Sequence, residues 1–137
     1  MEEIGAAKIQ IREDIAKIIS AVAESDIAKK VRAIEDRLFE FANFLEAKIA
    51  LLYVGGENEV QTRNIIKRAY SYNKIVVLPA FDPKTFEMEL MKVDKFAQDL
   101  KSGPRGVPEP DAGRCKIVPI DRIDIAIIPG IAFDEKG

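Results

Sequence analysis

The sequence contains no histidine, a single cysteine and no apolar run longer than six residues. Without histidine there is no Ser-His-Asp triad, no Cys-His pair and none of the usual histidine metal sites. With Cys115 alone there is no disulfide within the chain and no thiolate zinc cluster. That thiol, with no histidine to activate it, reads as structural or incidental. The longest apolar run, Ile49 to Val54, is too short for a transmembrane helix or a signal-peptide core, so no membrane partner is expected. An excess of one charge is also missing. Lys and Arg number 21 against 23 Asp and Glu, a formal net charge of −2. Nothing pulls the whole molecule toward nucleic acid, and any phosphate site must be local. There is no Walker pattern either, because Gly55-Gly56 lacks the Gly-Lys-Ser/Thr ending. Chemistry here must rest on carboxylates, lysines, arginines or a bound cofactor.

What is present suits one folded domain of 137 residues, 47% apolar and 32% charged. Ile4, Ala7, Ile11, Ile15, Ile18 and Val22 step by three and four, which predicts a helix over 4–22. Ser25 offers an N-cap and Asp26 suits a first turn. Ile27, Val31, Ile34, Leu38, Phe41 and Leu45 then extend a second helix over 26–46. From Lys48 the texture changes. Residues 49–54, closed by Gly55-Gly56, read as a buried parallel strand. Thr62 can cap a helix over 63–72, which Asn73 can end in the left-handed conformation. Residues 75–78, stopped by Pro79, read as the next strand, completing a βαβ unit. Residues 86–93 read as a strand, 95–100 as a short helix, and the Gly- and Pro-rich 101–114 as an ordered loop. Residues 123–128 read as a last buried strand. The result is an α/β domain with a mostly parallel sheet and flanking helices behind an N-terminal helical pair. Ligands in such sheets bind outside the carboxyl ends of the strands, here near Val54-Gly55-Gly56, Pro79-Ala80-Phe81 and Pro129-Gly130.

Those segments, read in order, resemble the 5-formyltetrahydrofolate cyclo-ligase family. Ala7-Lys8 and Arg12 resemble its short Lys-then-Arg opening, and Glu59-Val60-Gln61-Thr62 its Glu-Val-Asp-Thr. Leu78-Pro79, Asp82-Pro83 and Glu87-Met88 follow. Residues 103–110, Gly-Pro-Arg-Gly-Val-Pro-Glu-Pro, resemble the family's Gly-Pro-aromatic-Gly-Ile-Pro-Glu-Pro. Asp124, Pro129-Gly130, Phe133-Asp134 and Gly137 complete the series. The resemblance implies a three-layer fold and a cytoplasmic ligase of one-carbon metabolism that uses ATP and Mg²⁺. In the implied reaction ATP phosphorylates the formyl oxygen of 5-formyltetrahydrofolate. A neighbouring ring-side nitrogen then closes onto the carbon, and phosphate leaves to give 5,10-methenyltetrahydrofolate. Phosphoryl transfer is mainly positioning and charge stabilisation, so the lack of histidine is no obstacle.

The resemblance also assigns roles. Lys8 and Arg12, four residues apart on one helix face, together with Gly130 and Asp134, would meet the ATP phosphates. On spacing alone the same two cations read as a solvated surface pair. A further basic residue usual one helical step beyond is replaced near Ile19. Val54 would line the folate pocket and Glu59 would accept hydrogen bonds from the pterin ring, although a loop acid is the plainer reading of Glu59. Gln61 stands where the family has an acid. Phe81 and Met88 would wall the pterin, and equally suit a core. Arg105 replaces the family's aromatic. Its guanidinium can stack on a ring or face the glutamate tail of the folate. No residue is assigned as catalytic and none as a metal ligand. The family's glycine-rich segment with its Tyr-Tyr-Asp ending, which holds phosphates and Mg²⁺, would follow Gly137. The single domain 1–137 is therefore expected to be incomplete at its C-terminus. Two alternatives stay open: an inactive folate- or nucleotide-binding family member, and a homodimer formed through sheet edge and apolar surface left unpaired.

Overall fold

The computed structural model describes residues 2–137. Two helices open the chain, α1 (Glu2–Ser20) and α2 (Glu24–Leu38), followed by a short α3 (Ala42–Glu46). Next come β1 (Ile49–Leu51), α4 (Arg63–Ser71) and β2 (Ile75–Phe81). The remainder is β3 (Met88–Val93), α5 (Phe96–Asp99), β4 (Leu100–Ser102), β5 (Pro108–Pro110), β6 (Lys116–Ile117), a 3-10 turn at Ile120–Arg122 and β7 (Ile125–Ala126). Five strands form one sheet in the order β6-β3-β2-β1-β7, and β4 and β5 form a separate hairpin. β1 runs parallel to β2 and β7, whereas β3 is antiparallel to β2 and β6. The sheet is thus mixed, not mostly parallel. The cause is the short connection 82–87, which cannot hold a crossover and turns the chain straight back. Asp82 builds that turn by accepting the N–H groups of Lys84 and Thr85 at 2.8 and 2.9 Å.

The predicted second helix is broken in two, with Phe39 and Phe41 between α2 and α3. In one continuous helix, residues 39 and 44 would point about 140° apart. The break lets both rings enter the core, where Phe39 and Phe44 meet edge to face at 5.1 Å. α2 starts after Ala23, so Ser25 is not its cap. Arg68 of α4 holds α2 in place. Its guanidinium bonds Asp36 at 3.0 Å and lies 4.5 Å from the Phe39 ring centroid. The apolar stripe of α1 fixes a helix but not its burial: Ile4, Ile11 and Ile18 remain 50–61% exposed.

Prolines mark two further corrections. β2 runs on through Pro79 to Phe81. The carbonyl of Val77 accepts from Leu52, so residues 77, 79 and 81 turn their backbone polar groups toward the β1 side. β1 has ended there, and the N–H that Pro79 lacks is not missed. Within 101–114, expected as a loop, lies the β4–β5 hairpin. Gly103 donates to the carbonyl of Val107, which by alternation turns the nitrogens of Pro108 and Pro110 away from β4.

The main core lies on one face of the sheet. Ala50, Leu52, Val76, Leu78 and Val93 pack there with Phe44 and with Ile65, Ile66 and Ala69 of α4. The other face carries Leu51, Val77 and Leu90 beneath Val118 and Ile123. No described helix is long and apolar enough to cross a membrane.

Candidate functional site

β1, β2 and β7 are parallel, so their carboxyl ends share one edge of the sheet. Two cavities of about 700 Å³ each are built from the chain that leaves those ends.

The first lies beyond β1 and β7, where α1 crosses the edge. Lys8, Ile11 and Arg12 of α1 line it with Glu59, with residues 129–134 and with Gly137. The structure therefore brings Lys8, Arg12, Glu59, Gly130 and Asp134 together around one space, although up to 126 positions separate them in the chain. Among the described residues neither Lys8 nor Arg12 forms an ion pair. The Phe133 ring lies directly on Gly130, where a Cβ would collide with it.

The loop between β1 and α4 holds Glu59 in place through its own polar groups. Glu59 Oε1 accepts the N–H of Gly56 at 2.8 Å. The Gln61 amide donates to the carbonyls of Gly56 at 3.0 Å and Glu59 at 3.3 Å. An aspartate at 61 has no proton to give these oxygens, so Gln61 adds a staple that the family's usual acid lacks. Thr62, buried, spends its hydroxyl on the loop: it donates to the Tyr53 carbonyl at 2.5 Å and accepts from Gly55 at 3.2 Å. It stands at the N-cap position of α4 but makes no side-chain cap bond. Burial first, and then the charge of Glu59, push the Tyr53 hydroxyl above its ordinary range. Val54 lines neither cavity and is packed in the main core.

The second cavity lies beyond β2, between the start of β3 and the β4–β5 hairpin. Phe81, Met88, Met91, Gly103 and Glu109 line it with Asp82, Glu87 and Glu89. Phe81 and Met88 thus share a space with each other and not with Glu59. Arg105 hangs over this cavity from the hairpin loop, its guanidinium carbon 4.2 Å from the Phe81 ring centroid. In the sequence Glu109 belongs only to the Pro-Glu-Pro run that closes the 103–110 motif. In the structure it is 3% exposed and accepts the Phe81 N–H at 2.9 Å. The signal for it was a lone acid between two prolines.

Cys115 lies apart from both cavities, half-buried against Asp99. Burial, and then the Asp99 charge, push its thiol up, which disfavours a reactive thiolate.

Residues 4–137 match the model of the 5-formyltetrahydrofolate cyclo-ligase family. A probable 5-formyltetrahydrofolate cyclo-ligase of Caenorhabditis elegans is 27% identical over 141 residues, covering all of this chain and 68% of the relative. The 5-formyltetrahydrofolate cyclo-ligase of Haemophilus influenzae is 26% identical over 130 residues, covering 93% and 68%. The solved 5,10-methenyltetrahydrofolate synthetase of Aquifex aeolicus superposes with a TM-score of 0.80 at 23% identity, over 95% of this chain and 64% of that one. That of Mycoplasma pneumoniae gives 0.65 at 16% identity, over 93% and 66%. The chain spans about two thirds of the length of the relatives it matches.

Proposed function

The chain belongs to the 5-formyltetrahydrofolate cyclo-ligase family, and from that premise we propose that it serves the ATP-dependent closure of 5-formyltetrahydrofolate to 5,10-methenyltetrahydrofolate in the cytoplasm. The observation that carries this reading is the single cavity shared by Lys8, Arg12 and Glu59.

The donors around that cavity suit a triphosphate. Lys8 brings a compact charge and Arg12 a planar fork, both from one helix face and neither committed to an ion pair among the described residues. The chain near Gly130 gives close backbone approach once the Phe133 ring moves aside. No group of three or more His, Cys, Asp or Glu that could hold a metal exists among the described residues. Asp134, which lines the cavity, would share a Mg²⁺ ion with phosphate oxygens and water, a common arrangement for this ion. What ATP supplies is a phosphoryl group for the formyl oxygen, which turns that oxygen into a leaving group.

Glu59 stands beside the phosphate-binding cations, and its second carboxylate oxygen is the acceptor for pterin N–H donors. In this reading the reacting formyl group lies next to Lys8 and Arg12. The rest of the folate runs along the sheet edge toward Phe81 and Met88. The two cavities follow adjacent strand ends, so one elongated ligand can reach both. Catalysis in this reading is positioning and charge stabilisation. The test is to mix the chain with 5-formyltetrahydrofolate and Mg-ATP and follow the near-ultraviolet absorbance of the methenyl product. ATP-dependent product supports the reading. Folded protein that yields no product and binds neither compound overturns it.

Self-association is a second reading, favoured by the exposed Ile4, Ile11 and Ile18 stripe on α1. Sedimentation over a range of concentrations tests it, and a monomer throughout would exclude it.

A further inference from the structure

The loop between β1 and α4 has a fixed neck and a separate tip. At the neck, Thr62 donates to the Tyr53 carbonyl and accepts the Gly55 N–H, while the Tyr53 hydroxyl donates to the Val60 carbonyl at 3.3 Å. The two sides of the neck touch: a Cβ on Gly55 would lie 2.5 Å from the Val60 carbonyl oxygen. Tyr53, Val54 and Thr62 are buried, so the neck belongs to the body of the domain. The tip, residues 56–59, is a turn closed by the Glu59 N–H on the Gly56 carbonyl at 3.3 Å, with Asn58 at φ 62°.

Glu59 sits in the tip, and its own side-chain bond does not anchor it. Oε1 accepts from Gly56, which belongs to the same turn, so this bond travels with the tip when the tip rocks. Among the described residues, Gln61 is the one residue outside the tip whose side chain bonds to it. Its amide donates to the carbonyls of Gly56 and Glu59, one at each end of the turn. Gln61 is itself exposed and lines neither of the two large cavities. Its bonds therefore build neither core nor cavity wall. What they restrain is the direction in which the tip, and Glu59 with it, leaves the neck.

We propose that Gln61 is a positioning residue for Glu59, clamping the tip to the neck so that Glu59 is held in the cavity it shares with Lys8 and Arg12. An acceptor fixed before its ligand arrives spares the complex the entropy of ordering the loop. The clamp needs a donor, because both of its targets are carbonyl oxygens, and a carboxylate at 61 would face them with acceptors only. The proposal rests on the reading of Glu59 as the pterin acceptor and adds to it a residue that touches no ligand.

The test replaces Gln61 by methionine, which keeps length and neutrality and donates no hydrogen bond. Gln61→Met, Glu59→Gln and the double variant are compared with the parent chain. Calorimetry with 5-formyltetrahydrofolate, and separately with Mg-ATP, measures affinity. Ultraviolet difference titration reads Tyr53, whose hydroxyl is pushed up by burial first and then by the Glu59 charge. Gln61→Met is expected to weaken the folate roughly three- to fivefold and to leave ATP affinity unchanged. Tyr53 should titrate earlier than in the parent, by less than Glu59→Gln brings about. Added to Glu59→Gln, the same substitution should move Tyr53 no further and cost the folate less than about twofold. An equal folate loss in both backgrounds, or an equal loss for folate and ATP, would mean that Gln61 acts on the loop as a whole and overturns the proposal. If the parent binds the folate and Gln61→Met binds it equally well, the positioning role fails and the cyclo-ligase reading stands. If Gln61→Met moves Tyr53 only when Glu59 is present, yet no protein binds the folate, the clamp on Glu59 stands and its pterin role fails.

Discussion

The Asp124 carboxylate accepts the backbone N–H of Ile49 at 2.8 Å and of Lys48 at 2.9 Å. One side chain at the entry to β7 thus sets the start of β1, more than seventy residues earlier. From there the cavity-lining loops after both strands leave in register. These bonds, that of Ile49 first, hold the Asp124 carboxyl below the usual carboxylate range. A lowered native value means that the charged form stabilises the fold above the unfolded pKa of about 3.9, and that this stabilisation is lost as pH falls through the native value. Asp124→Asn is expected to melt earlier at neutral pH and to lose less on acidification than the parent. Denaturant titrations at a series of pH values below 5 measure this. Parallel curves for the two proteins would exclude the role.

Lys74 gives a second prediction. Its Nζ is surrounded by the carbonyls of Phe44, Leu45 and Ala47, at 2.5, 3.1 and 2.5 Å, and so closes the carboxyl end of α3. The side chain is buried, and desolvation draws its pKa down. Lys74→Met keeps most of the volume but leaves buried carbonyls unpaired. It is expected to cost about 2–3 kcal/mol of stability. Urea unfolding provides the measurement, and a loss below about 0.5 kcal/mol would show that water replaces the ammonium without penalty.

Periodicity and glycine or proline punctuation made α1, α4, β2 and β3 legible in the sequence, because each is set by local pattern. Asn73 does end α4 with φ 61°. The break at Phe39–Phe41 was not legible, since it answers to burial of two rings by a sheet that lies later in the chain. The β4–β5 hairpin was hidden because proline suits a strand only where its nitrogen faces away from a partner, and that depends on register. The site was legible in parts. Chain-end logic and family resemblance gathered Lys8, Arg12 and Glu59, and these share a cavity. The separation of Phe81 and Met88 from Glu59 follows from the antiparallel return of β3, which the expected parallel sheet did not contain. Glu109 acquires its interest only from its burial and its bond to Phe81, and no sequence pattern records those.

Lys8 and Arg12 belong to a helix whose side chains touch little else, so their removal should act on ligand and not on fold. Lys8→Ala and Arg12→Ala are each expected to weaken ATP binding roughly tenfold, with melting temperature unchanged. Arg12→Lys should recover only part of the loss, because an ammonium cannot present a fork. 5-Formyltetrahydrofolate binding without ATP should be unaffected. Calorimetry with each ligand separates the cases. Equal weakening of both ligands would mean that α1 positions the cavity as a whole instead of meeting phosphates.

Glu59 can be read through a tyrosine. Its charge is the second cause, after burial, of the raised Tyr53 pKa. Glu59→Gln can preserve the bond from Gly56 while removing that charge. One tyrosine of the three should then titrate earlier than in the parent, yet still above an ordinary phenol, because burial persists. Tyr70, pushed up to about 12 chiefly by burial, should stay where it is. Ultraviolet difference titration resolves the shift, and Tyr53→Phe identifies its source. In the same variant the pterin faces an amide that both accepts and donates, where the carboxylate only accepted. Affinity for 5-formyltetrahydrofolate should fall roughly tenfold or more, since a hydrogen bond to a charged partner is exchanged for one to a neutral group. A tyrosine shift without a change in folate affinity would show that Glu59 serves its loop alone, and the pterin would have to be sought beside Phe81.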